Sequence, residues 1–174
     1  MPAETSWARL SPTDEITNEL LERVLSTHFR IPQFKGVWPC DLMPEKLTIG
    51  DCVILNTDPH TRSGNHYVAV KRADVDSYLY FDPLNLNMEI AFPRLAREFK
   101  KRRLFSQLRP FLPDPIQALD SKFCGLFCLN FILAQTIFNR PPKGYRGFYT
   151  DPEKLHLNDA ICMRNIQILA QKCK

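Results

Sequence analysis

Between Cys124 and Phe138 only Asn130, Gln135 and Thr136 interrupt an apolar run. A helix that is apolar on nearly every side has no face to give to water, so it belongs at the centre of a core. The run is too short and too interrupted for the ~20 apolar residues of a membrane helix, and Arg140-Pro141-Pro142 ends it. The rest of the chain must wrap this rod, and 174 residues suffice. A domain of about 150 residues buries roughly 68–70% of its unfolded surface without disulfide staples. A hydrophobic content of 44% excludes disorder, and no Gly-X-Y period is present, which excludes collagen. The expectation is one domain over 1–174, with no membrane span.

The elements around the rod follow from pattern. Ser11-Pro12-Thr13-Asp14 reads as a capped helix start, and Ile16, Leu20, Leu21, Val24 and Leu25 continue at helical spacing to about Thr27–His28. The stretch from Ile31 to Glu45, with Pro32, Pro39 and Pro44, predicts irregular chain. A β-rich block follows. Cys52–Leu55, Tyr67–Val70 and Tyr78–Phe81 read as strands. A loop over 56–65 separates the first two, and a hairpin turn over 74–77 joins the last two. Ile90 to Leu108 predicts an amphipathic helical region with Leu95, Phe99, Leu104 and Leu108 on its apolar side, then a Pro-rich loop to Ile116. A last helix spans about Leu157 or Asn158 to Lys172. The fold class is α+β: a small antiparallel or mixed sheet packed on a buried central helix.

Charge and cysteines narrow the function classes. A net charge of +4 suits acidic partners and does not by itself make a nucleic-acid binder. Cys40, Cys52, Cys124, Cys128, Cys162 and Cys173 contain no C-x-x-C pair, and His28, His60, His66 and His156 are scattered, so no metal site is expected. The first 25 residues carry Glu4, Asp14, Glu15, Glu19 and Glu22 and no apolar signal core. The expected location is intracellular, with reduced thiols.

Four residues at element edges invite chemistry: His66, Asp82, Gln117 and Cys124. Cys124 opens the central helix, where unpaired N–H groups carry about half a positive charge. Such a field favours thiolate, the nucleophilic form. Gly125 is expected to leave the approach to the sulfur open. His66 begins one strand and Asp82 ends the next. If the strands are neighbours, imidazole and carboxylate complete a nucleophile–base–orienter set. The Gln117 amide, in the loop before the helix, can donate to a developing oxyanion beside the Cys124 N–H. Against this stands the plainer reading that a cysteine in an apolar helix is a small core residue, which is how Cys128 reads. His28, His60 and His156 read as ordinary polar residues.

At these positions the chain resembles the adenovirus-type cysteine endopeptidases, the adenain family. Gln117 with Cys124-Gly125-Leu126-Phe127-Cys128 is similar to the family's nucleophile segment. Asn56-Thr57 with Gly64-Asn65-His66-Tyr67 is similar to its histidine segment, with Tyr67 in place of Trp. Tyr80-Phe81-Asp82-Pro83 is similar to its F-E-P segment, with Asp in place of Glu, and Phe34-Lys35-Gly36-Val37 to its F-x-G-V stretch. The likeness covers about 34–133 and keeps the order His, Asp, Cys. It implies a compact α+β cysteine peptidase with Cys124 as nucleophile, His66 as base and acid, Asp82 as orienting carboxylate and Gln117 as oxyanion donor. No cofactor is required for such chemistry. The implied substrates are precursor proteins of a virus or a mobile element, and the implied setting is the host nucleus or cytoplasm, or the virion.

Two departures shape these expectations. The family's peptide activator is tethered through a cysteine between the acidic residue and the nucleophile, and none lies between Asp82 and Cys124. This argues against a disulfide-tethered activator and leaves an untethered peptide or DNA. Tyr67 is expected to keep a flat wall beside the imidazole. SUMO-type peptidases share the triad order but usually carry an acid before the nucleophile, where this chain has Phe123. A peptidase for ubiquitin-like conjugates therefore stands as the alternative, beside a non-catalytic DNA- or capsid-binding module and an acyltransferase. Positions 94–109 hold seven basic residues and one acid, Glu98. Because adenain-like enzymes bind DNA, the resemblance implies phosphate contacts at Arg97, Lys100, Lys101, Arg102 and Arg103; a solvated helix face is the other reading.

Overall fold

The computed structural model describes residues 16–137 and 147–172. The chain runs α1 (Asn18–Arg23, continued by a π-helical turn over Val24–His28), β1 (Phe34–Pro39), β2 (Cys52–Asn56), β3 (Tyr67–Asp74) and β4 (Ser77–Phe81). It continues through α2 (Met88–Ala91), α3 (Pro93–Lys101), β5 (Leu108–Pro110), α4 (Cys124–Ile137) and α5 (Asn158–Lys172). The architecture is mixed α+β with one five-stranded mixed sheet ordered β1-β2-β3-β4-β5. The inner pairs β2–β3 and β3–β4 are antiparallel, and the outer pairs β1–β2 and β4–β5 are parallel.

The sheet is covered on both sides, beyond the single helix layer expected. Cys52, Ile54, Ala69 and Phe81 face α1, α4 and α5, packing with Leu21, Phe127, Phe131 and Ile166. Val53, Leu55, Val68, Val70, Tyr78 and Tyr80 face the other way, against Leu95, Ala96 and Phe99 of α3. Burial on both faces explains why β2 reads as a continuous apolar run rather than an alternating one. The central rod is as expected: Leu126, Phe127, Cys128, Leu129, Phe131, Ile132 and Leu133 are all buried.

Three expectations change. The stretch from Ile31 to Glu45 contains β1, an edge strand whose terminal Pro39 is tolerated because it ends the strand. The region from Ile90 to Leu108 is not one helix. Pro93 cannot continue the hydrogen-bond ladder, so α2 stops at Ala91 and α3 starts afresh with Pro93 in its first turn. Leu108 then begins β5 rather than closing a helix. The start over Ser11–Asp14, Phe138 and the stop at Arg140–Pro142 lie outside the described residues. Within them, α1 begins at Asn18, with the Thr17 hydroxyl accepting from the Leu20 N–H at 3.2 Å. No described helix is long and apolar enough to cross a membrane.

Candidate active site

Strand register brings the first two residues together. Ala69 stands opposite Phe81. Carrying that register one step further sets Val68 opposite Asp82, and His66 lies two residues from Val68 on the same face. His66 and Asp82 are therefore diagonal cross-strand neighbours, and a slip of one residue would separate them to opposite faces. His66 Nε2–H donates to Asp82 Oδ1 at 2.7 Å, and both side chains are buried.

Asp82 is itself held. Its Oδ1 accepts from the Leu84 N–H and its Oδ2 from the Leu86 N–H, each at 3.0 Å. A carboxylate tied to two backbone donors cannot swing away from the imidazole. With Nε2 committed to Asp82, Nδ1 is the ring nitrogen left for Cys124, whose thiol lies close enough to influence the imidazole. Burial alone would push the His66 imidazole down. The hydrogen bonds with Asp82 and Cys124 and the charges of both outweigh it, and His66 is raised to about 9. It is therefore charged at neutral pH.

Cys124 is the first residue of α4. Gly125 does not leave the sulfur open, contrary to expectation. It is buried, and a Cβ there would stand 2.7 Å from Ile16 Cγ2, 3.1 Å from Leu21 Cδ1 and 3.2 Å from Tyr67 Cδ2. Its lack of a side chain lets α1 and Tyr67 close over the start of α4. Tyr67 packs there and donates its hydroxyl to Asn18 Oδ1 at 2.5 Å. The ring that stacks on His66 is Phe92, with centroids 5.1 Å apart and planes 14° apart.

Gln117 is buried in the loop before α4. The backbone N–H groups of Ile116 and Gln117 both donate to the Pro83 carbonyl, at 2.9 and 3.0 Å, so this loop is pinned beside Asp82. The side-chain Nε2 donates to the Ser121 carbonyl at 2.9 Å, which leaves one amide hydrogen, and Oε1 is buried without a partner. Residues not singled out in the sequence complete this bracket. Ser121 Oγ donates to Asp159 Oδ1 at 2.8 Å and accepts from the Phe123 N–H at 3.2 Å. Asn158 Nδ2 donates to the Ile116 carbonyl at 2.7 Å. Burial pushes Asp159 up, against its hydrogen bond with Ser121. No local pattern announces these partners, because they lie up to 42 residues apart in sequence.

The other histidine, thiol and basic expectations also meet geometry. His60 has a partner after all: its Nδ1 lies 2.5 Å from Asp41 Oδ2, and its N–H donates to Asp41 Oδ1 at 2.9 Å. Although burial opposes it, the His60 hydrogen bonds hold Asp41 below its ordinary range. Cys40, Cys52, Cys124, Cys128 and Cys162 are free thiols, and Cys173 lies outside the described residues. Burial pushes Cys40 up to about 11 and Cys52 to about 12, and raises Cys128 and Cys162 well above the usual thiol range. Among the described residues no His, Cys, Asp and Glu cluster suits a metal ion.

The basic stretch lies along α3 and the turn that follows it. Lys100 pairs with Glu89, and Lys101 with Glu98 at 2.7 Å. Arg102 is half-buried with its Nε enclosed. Arg97, Lys100, Lys101 and Arg103 are all exposed, and the two lysines among them carry acidic partners. The five residues thus do not form one uniform cationic face.

Compared with models of known protein families and with curated proteins, the chain matches none.

Proposed function

We propose that the chain is a cysteine endopeptidase of the adenain type, acting on precursor proteins of a virus or mobile element. One observation carries the reading: a single buried imidazole is shared between the Asp82 carboxylate and the Cys124 thiol at the start of a buried helix. A core cysteine has no need of a charged imidazole beside it, nor that imidazole of a doubly anchored carboxylate.

The chemistry follows from the groups present. The Cys124 sulfur anion, paired with the His66 imidazolium, attacks the scissile carbonyl carbon, and a C–S bond forms. Negative charge passes to the carbonyl oxygen, where the Cys124 N–H and the remaining Gln117 amide hydrogen can donate. The C–N bond breaks, and the leaving amine takes the proton from His66. His66, now neutral, accepts a proton from water as that water attacks the thioacyl carbon. This releases the acid and restores the ion pair. Asp82 keeps the ring aligned through both halves.

Incubation with capsid precursor proteins, and with ubiquitin and SUMO fusions, tests the proposal. Cleavage of the precursors by the native chain, lost in Cys124→Ser, is the expected result. Cleavage confined to the ubiquitin-like fusions replaces the substrate class. If no panel member is cut and Cys124 alkylates no faster than a free thiol, the peptidase reading fails and a binding module remains.

A further inference from the structure

A cavity of about 370 Å³ opens beside His66, walled among others by Thr57, Asp58, Arg62, Phe92, Pro93 and Arg94. This is within the roughly 300–1,000 Å³ of small-ligand sites. The imidazole lines it, but Cys124 and Gln117 do not. In acyl transfer to sulfur the acyl half of the substrate stays on the nucleophile, while the amine departs past the general acid. A cavity that touches the acid and not the nucleophile lies on the departing side.

Its charge is unbalanced. Two arginines and one aspartate line it, and the distance from Arg94 Nη1 to Asp58 Oδ1 is 3.9 Å, too long for a hydrogen bond. Arg62 is exposed on the 57–65 loop, and its backbone N–H donates to the Pro59 carbonyl at 3.0 Å, which sets the turn it sits on. The Asp41–His60 pair and the Thr57 N–H bond to the His66 carbonyl, at 3.0 Å, hold that loop against the site.

We infer that Arg62 and Arg94 recognise an acidic side chain on one of the first two residues of the leaving peptide. A planar guanidinium matches a carboxylate through two parallel hydrogen bonds. Phe92 and Pro93 offer the methylene stem an apolar wall. Asp58 competes for Arg94 and so tempers the preference. The inference deepens the peptidase reading and rests on it.

The test is a cleavage-site profile on a denatured protein mixture, comparing the native chain, the Arg62→Ala/Arg94→Ala double variant and Asp58→Asn. The native chain is expected to favour Glu or Asp over Gln or Asn by about tenfold just after the cut. That ratio falls to about one in the double variant and rises in Asp58→Asn. Cuts without acidic enrichment, or enrichment indifferent to the two arginines, overturn the subsite while the peptidase reading stands. If the native chain makes no cuts and Cys124 alkylates no faster than a free thiol, the peptidase reading fails; without cuts the cavity is judged by binding alone. Arg Nε–H resonances are then followed during titration with the dipeptide amides Glu-Ala-NH2 and Gln-Ala-NH2. Tighter binding of the Glu peptide supports the acid site, and equal binding overturns it.

Discussion

The side-chain amide of Asn56 occupies the space where a Cβ at Gly64 would stand. Asn56 ends β2, its Oδ1 accepts from the Asp58 N–H at 2.9 Å, and its side chain closes the loop that delivers His66. Gly64→Ala is expected to destabilise the fold by ~1–3 kcal/mol, the usual cost of overpacking. In an Asn56→Ala background the same change should cost less, because the two positions share one volume. Chemical denaturation of the four proteins measures the coupling, and strict additivity would contradict it.

His66 and Asp82 should contribute unequally to rate and hardly at all to binding. His66→Ala removes the base and acid and is expected to lower kcat by ~10²–10⁴-fold. Asp82→Asn keeps the shape but loses the charge that holds the imidazole protonated, and should slow alkylation of Cys124 as well as cleavage. Single-turnover kinetics with matched KM values check both.

Thiol reactivity should single out one site. Cys124 is 8% exposed, whereas Cys52, Cys128 and Cys162 are fully enclosed and Cys40 is 1% exposed. In a Cys173→Ser background, iodoacetamide at neutral pH should modify Cys124 first, and His66→Ala should abolish that preference. Peptide mapping after partial labelling reads the order directly.

The pH dependence follows from His66. Its folded value, about 9, lies above the 6.5 of an unperturbed histidine. The folded state therefore binds this proton more tightly than the unfolded chain. The stability it contributes is complete below about pH 6.5 and is lost as pH rises through about 9. Melting temperature should fall over that window more steeply in the native protein than in His66→Gln. The alkaline limb of kcat/KM should sit near the same value, where the general acid loses its proton.

Gln117→Ala is expected to lower kcat by ~10²–10³-fold, as removal of an oxyanion donor does. Gln117→Glu should be worse for folding, since it replaces the N–H donor to the Ser121 carbonyl by an acceptor. Comparison of activity with denaturation midpoints separates these two effects.

Much of this arrangement was legible before any coordinate. The rod from Cys124, the strands over Cys52–Leu55 and Tyr78–Phe81, and the tight hairpin over 74–77 are local patterns, each readable from neighbours a few residues away. The hairpin brings the two strands together, but its turn, with Asp74 opposite Ser77, would by itself set Asp82 opposite Ala69. The irregularity between Arg72 and Asp74 shifts the pairing by one residue and puts Asp82 on the face of His66. Other features depend on partners distant in sequence and have no local signature. These are the parallel edges β1 and β5, the Phe92 ring against His66, the Ser121–Asp159 bracket and the His60–Asp41 clasp. Gly125 shows the difference most plainly. Its identity was visible, but only the packing of Ile16, Leu21 and Tyr67 around it decided that the missing side chain serves closeness rather than access. Sequence alone determined the central helix and the hairpin of β3 and β4, because each is set by neighbours along the chain. Tertiary structure decided which side chains meet, because those contacts exist only after the two faces of the sheet have been covered.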